Sequence, residues 1–255
     1  MVICRFYLIL FLALVQSTAL ADTVTIGETK LDLPAPAGFQ QLETGGIVWD
    51  TYQTMIASPG NRLLGYYASE ENWATVQSGD LPKLTRLFHA QSPIGIEKGA
   101  ISTLQFSEMA GGLSALMGKT DDYDSDSLSG LEIGATKSLG VYEQGPDHVR
   151  FAILGRITLE IEGTLNQRVT YTAASMTNVA GKLVNLYCTV DGESPDEHRW
   201  ARDQLALWSN SIIASNPAPL KEEKSVNPIV ILAGIALGGL SALSLVILWS
   251  KRRCS

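Results

Sequence analysis

Hydrophobic and polar residues alternate along the chain between positions 149 and 161. Val149, Phe151, Ile153, Ile157, Leu159 and Ile161 hold odd positions, while Arg150, Arg156, Thr158 and Glu160, with Glu162 just beyond, hold even ones. Period two predicts a strand, because successive side chains leave a pleated backbone on opposite sides. One dry and one wet face suits an antiparallel sheet with a solvated side. Gly155 falls in phase and reads as a bend or bulge. Gly145-Pro146-Asp147 supplies a turn before this run. The alternation resumes over 168–176 through Val169, Tyr171 and Ala173, and Gly181-Lys182 turns into 183–190. Residues 137–190 therefore predict an antiparallel meander of three or four strands.

Helical spacing flanks the meander. Ser194-Pro195-Asp196-Glu197 reads as a capping box with proline at the first helical position, followed by the stripe Ala201, Leu205, Trp208 and Ile212. This helix ends near Asn216-Pro217. Over 101–118, Ile101, Leu104, Met109, Leu113 and Leu116 fall near one helical face, with Gly111-Gly112 weakening the interior. Two short alternating runs around Gly27-Glu28 predict a hairpin, and Pro34, Pro36 and Gly38 then break regular structure. Residues 40–57 have helical spacing, 62–68 and 83–91 read as strands, and 70–77 reads as a short helix. Strands and helices are segregated rather than strictly alternating. The expected class is α+β, an antiparallel sheet flanked by helices.

The two ends follow other rules. Residues 1–21 place Arg5 before an apolar run from Phe6 to Val15, then Gln16-Ser17-Thr18 and Ala19-Leu20-Ala21. Positive start, short apolar centre and A-x-A end make a signal peptide. The apolar run rises only about 15 Å as a helix, half of a bilayer core. Residues 229–249 carry no charge, and Lys251, Arg252 and Arg253 follow at once. That stretch spans about 32 Å as a helix, which predicts one C-terminal transmembrane helix with its cations on the cytoplasmic side. The expected organisation is 1–21 signal peptide, 22–215 extracytoplasmic α+β domain, 216–228 proline-bearing linker, 229–249 transmembrane helix and 250–255 cytoplasmic tail. The domain lies outside the cytoplasm, periplasmic in a Gram-negative cell.

Charge narrows the partners. The chain of 255 residues has 19 basic and 26 acidic residues. Without Arg5 and the three tail cations, 15 basic residues remain against 26, so the exported part is near −11. Such a surface repels nucleic acid and anionic headgroups. Of the three cysteines, Cys4 falls in the leader and Cys254 in the tail, leaving Cys188 without an exported partner. Cys188 alternates in phase with Val184, Leu186 and Val190, which predicts a buried strand position.

The segment Leu-Pro-Ala-Pro-Ala-Gly-Phe at 33–39, the run of antiparallel strands and the closing stretch 181–212 resemble uncharacterised bacterial envelope proteins. The order of elements is similar to the Mog1/PsbP-like α/β/α sandwich. The resemblance covers about residues 30–215. It implies a bacterial source and helices on the sheet, and it carries no functional residue with it.

Motifs for chemistry are sparse. Ser114 sits in Gly-Leu-Ser-Ala-Leu, which lacks the second glycine of a nucleophile elbow. His89, His148 and His198 have no paired motif, with His198 expected in solvent. HExxH, CxxC and the phosphate-binding glycine loops are absent. The metal candidate is Asp122, Asp124 and Asp126, spaced like the first ligands of a calcium loop, although Ser127 replaces the required glycine and Glu132 comes one residue early. Gly234 and Gly238 form a GxxxG pair extended by Ala242, a face along which two membrane helices can pack. Trp49, Trp73, Trp200 and Trp208 are expected to be packing residues.

The expectation is therefore a non-catalytic envelope interaction module, with the membrane, another envelope protein or a homodimer through the transmembrane helix as partners. No nucleic acid and no cofactor beyond calcium is expected. The alternatives are a small-ligand or calcium-binding sensor using the sheet face, and a hydrolase with a dispersed site.

Overall fold

The alternating run at 149–161 forms one of the two longest strands of a single sheet. The structure, a computed structural model, describes residues 22–45, 49–50, 53–54, 57, 60–78, 86–118, 135–161 and 164–217. Its strands are β1 (Asp22–Ile26), β2 (Thr29–Leu33), β3 (Phe39–Gln41), β4 (Asn61–Ser69), β5 (Arg86–Pro93), β6 (Thr136–Gln144), β7 (His148–Ile161), β8 (Thr164–Val179) and β9 (Lys182–Asp191). Its helices are α1 (Glu70–Gln77), α2 (Thr103–Met117) and α3 (Pro195–Ser215). The class is α+β.

Strands β1 and β2 pair as a small separate hairpin, and the others form a 7-stranded sheet in the order β3-β4-β5-β9-β8-β7-β6. Each neighbouring pair is antiparallel. The expected meander is its β6–β9 part. Ala180-Gly181 closes the β8–β9 hairpin with positive φ at both residues (49° and 79°), the twist that matches flanking strands.

The sheet has helices on both faces, which corrects the expectation of one dry and one wet side. On one face α3 lays Ala201, Leu205, Trp208 and Ile212 over Ala152, Leu154, Tyr171, Ala173, Leu186 and Cys188. On the other, α2 lays Phe106, Met109, Ala110 and Leu113 over Val149, Phe151, Ile153, Ala174 and Met176. Over 149–155 the even positions of β7 are thus as dry as the odd ones, and Arg150, expected on the wet side, is 1% exposed. Burial of each large apolar side chain contributes roughly 2 kcal/mol, and the central strands gain this from both sides.

Other expectations are corrected locally. Leu104 and Leu116 point away from the sheet, 71% and 68% exposed, because the stripe of α2 follows Phe106, Met109, Ala110 and Leu113 at the i, i+3, i+4, i+7 spacing. Gly155 pairs in register with Thr170 and makes no bulge in the β7–β8 ladder. The register shifts of that region lie on β6, at Leu139 and Tyr142. Residues 40–41, placed at the start of a helix by spacing, pair with β4 as part of the edge strand β3. Ala57 N–H donates to the Gln53 carbonyl, one helical step within that segment, of which 46–48, 51–52 and 55–56 lie outside the described residues. The Ser194 hydroxyl accepts from Glu197 N–H as the capping pattern requires. The Glu197 carboxylate does not reach back. It takes a fork of two bonds from Arg86, at 2.7 and 3.0 Å. The full reciprocal box is instead at Ser102 and Gln105, at the start of α2.

Candidate functional site

The three histidines are dispersed. His148 Nε2 lies 3.2 Å from Glu143 at the β6–β7 turn. His198 is 4% exposed rather than solvated, since α3 presses its first turn onto β8. Its Nε2 lies 2.9 Å from the Gly192 carbonyl and its ring stacks on Tyr171 at 4.0 Å. Ser114 Oγ donates to Gln144 at 3.0 Å. These contacts join elements of the fold.

A polar cluster lies under α3. The Arg150 guanidinium donates to Ser209 Oγ at 2.8 Å and Asn210 Oδ1 at 2.6 Å, and pairs with Glu143. Partial burial raises the Glu143 carboxyl, but the bonds and charges of Arg150 and His148 outweigh it and hold it below the ordinary carboxylate value. Arg202 donates to the Tyr171 hydroxyl at 2.6 Å and lies 4.8 Å from the Tyr142 ring centre. These charges are used within the fold, tying α3 to β6, β7 and β8.

The opposite face differs. Its apolar packing divides into two clusters. One is the α2 cluster described above. The other gathers Leu42, Leu63, Tyr66, Ala68 and Leu87 with Trp49 and Trp73 of the α1 side. Between them the sheet carries a polar strip. Cross-strand pairing sets Tyr66, His89 and Tyr187 in one row and Leu87, Thr189 and Thr172 in the next. Thr172, Tyr187 and Thr189 are half-buried. The Thr172 and Thr189 hydroxyls meet at 3.0 Å. A third row brings Gln91 beside Asn185, and Asn61 Nδ2 donates to Gln91 Oε1 at 3.1 Å.

His89 is the centre of this strip. It is 8% exposed and stacks on Tyr187 at 4.5 Å and 15°. Its ring nitrogens have no hydrogen-bond partner among the described residues. Burial pushes its pKa down to about 3, so the imidazole is neutral and offers one donor and one acceptor. Burial likewise pushes the Tyr187 hydroxyl up, which keeps it protonated. Such a strip can receive hydrogen-bonding groups between apolar walls. Nothing in the local sequence pointed to it. His89 is one polar residue in an alternating strand, and its partner Tyr187 lies far away in the chain.

Sequence-predicted site residues do not converge here. Asp122, Asp124 and Asp126 lie outside the described residues, as do Gly234, Gly238 and Ala242. Among the described residues, no group of three or more His, Cys, Asp or Glu side chains could hold a metal ion. Nor is any described helix long and apolar enough to cross a membrane, and 229–249 lies outside that set. Cys188 is fully buried beside Val184, Leu186 and Val190, and burial pushes its thiol up, away from the reactive thiolate.

Fold and strip together define an α+β domain with a helix on each sheet face and a neutral polar band between two apolar clusters. The chain matches no family model and no curated protein.

Proposed function

We propose that the chain is a single-pass, membrane-anchored extracytoplasmic module that binds rather than catalyses, and that its recognition surface is the strip around His89. Export by 1–21, retention by 229–249 and a cytoplasmic tail at 250–255 set the topology. The observation that carries the binding reading is the His89 ring, 8% exposed and without a hydrogen-bond partner among the described residues, beside the half-buried Tyr187, Thr189 and Thr172. Sheet centres normally carry apolar side chains, and polar atoms placed there need a partner. Support for anchoring through α3 comes from Asn216, which fastens the last turn of that helix to β2 immediately before the linker. Pairing of two chains along Gly234, Gly238 and Ala242 is compatible with this arrangement.

Topology is tested with alkaline phosphatase fusions in a Gram-negative host. A fusion after Asn216 is expected to be active and one after Ser255 inactive. Removing 229–255 is expected to release the protein into the periplasmic fraction. An active fusion after Ser255, or a full chain that stays soluble without detergent, overturns the proposal.

A further inference from the structure

Resting on the binding reading above, we infer that the strip takes an uncharged amphiphilic molecule, one with an apolar or aromatic body and a hydroxyl or amide that hydrogen-bonds His89. The walls are apolar on both sides, with Phe151 and Ile153 in one cluster and Tyr66 and Leu87 in the other. The floor supplies hydrogen-bonding groups without charge: the His89 ring, the Tyr187 hydroxyl, and the Thr172 and Thr189 hydroxyls. The charged residues next along the same strand faces are Asp191, beyond Thr189, and Arg168, beyond Thr170, both exposed at the outer end. Asp191 is already engaged, accepting from Glu193 N–H at 2.8 Å. An ion entering the strip would lose its hydration and meet no counter-charge among the described residues, whereas a neutral hydroxyl or amide would exchange water for the His89 nitrogen.

The test uses the full chain in nanodiscs, labelled with nitrogen-15 at its 3 histidines. Three probes share one body and differ in charge: N-acetyltyrosinamide (neutral), N-acetyltyrosine (anionic) and tyrosinamide (cationic). The His89 resonance is assigned by its loss in His89→Phe, which keeps a ring on Tyr187, and independently in His89→Gln. The neutral probe is expected to shift His89 saturably while leaving His148 and His198 in place, with both charged probes weaker by about tenfold or more. Equal shifts from all three probes overturn the neutral-ligand inference and leave the strip as a binding surface. No shift from any probe up to solubility overturns the binding reading itself.

Discussion

Asn216 and Asp32, which stand 184 positions apart in the chain, clasp each other reciprocally. The Asn216 Oδ1 accepts from Asp32 N–H and its Nδ2 donates to the Asp32 carbonyl, both at 2.8 Å. The same Nδ2 donates to the Ile212 carbonyl at 2.8 Å, so one side chain caps α3 and imitates a strand partner for β2. Nearby, Trp208 Nε1 donates to the Pro34 carbonyl at 2.7 Å. The N-terminal hairpin is thereby held against the last helix, α3.

Asn216→Ala removes all three bonds and is expected to lower stability by about 2–3 kcal/mol. Asn216→Asp keeps the acceptor for Asp32 N–H and is expected to fall between the two. Urea denaturation of the full chain in nanodiscs, followed by tryptophan fluorescence, measures both. An alanine variant as stable as the parent would show that the clasp holds nothing.

Arg150 separates a buried ion from a buried shape. Arg150→Ala removes a side chain that is 1% exposed and takes away the guanidinium bonded to Asn210 and Glu143, so a loss of roughly 3 kcal/mol is expected. Arg150→Met fills the same space without charge and is expected to cost less than half as much. Glu143 is 45% exposed, so Glu143→Gln is expected to cost under about 1 kcal/mol. The three midpoints should fall in that order.

Acid should destabilise the domain through its histidines before its carboxylates. Burial is the first cause of the lowered pKa of His89, His198 and His148. Each contributes stability that is fully present above the ordinary value near 6.5 and is lost as pH falls toward the folded value. For His89, lowered to about 3, the loss is on the order of 4 kcal/mol by pH 3. Glu143 and Glu197 are also lowered, the latter chiefly by its hydrogen bond to Arg86. Their contribution is lost at still lower pH, as it falls from the ordinary carboxylate value through the folded one. His89→Phe is expected to flatten the fall of the urea midpoint between pH 6.5 and 4.5. An unchanged slope would mean that His89 is not buried neutral.

Gly27 is fixed by what surrounds it. Its φ is +60°, and a Cβ there would run into the Glu97 carbonyl oxygen. Gly38 has φ +79° with open space around it. Gly27→Ala is expected to cost more than 2 kcal/mol, and Gly38→Ala about 1 kcal/mol from backbone conformation alone. Equal melting temperatures for the two variants would refute the close contact.

Much of the fold was legible locally. The β6–β9 meander, the buried stripe Ala201-Leu205-Trp208-Ile212, the N-terminal hairpin and the inward Cys188 all follow from period and turn chemistry. What misled was the assumption that a polar residue at an alternating position faces water. Arg150 is buried because α3 supplies Ser209 and Asn210 as partners that lie far away in sequence, and His198, on α3, is buried because its ring stacks on Tyr171 of β8.

By itself the sequence determined where strands and helices form and how they alternate, because those choices depend on neighbours within a few residues. It also carries the charge balance and the two apolar segments that frame the topology proposal. Only the tertiary structure decided that both faces of the sheet are covered and that β5 lies between β4 and β9. It alone set His89 beside Tyr187 in a neutral strip between two apolar clusters. Strand order and helix placement are contacts between distant residues, and a one-dimensional pattern of polarity holds each strand's two faces but not what will lie against them.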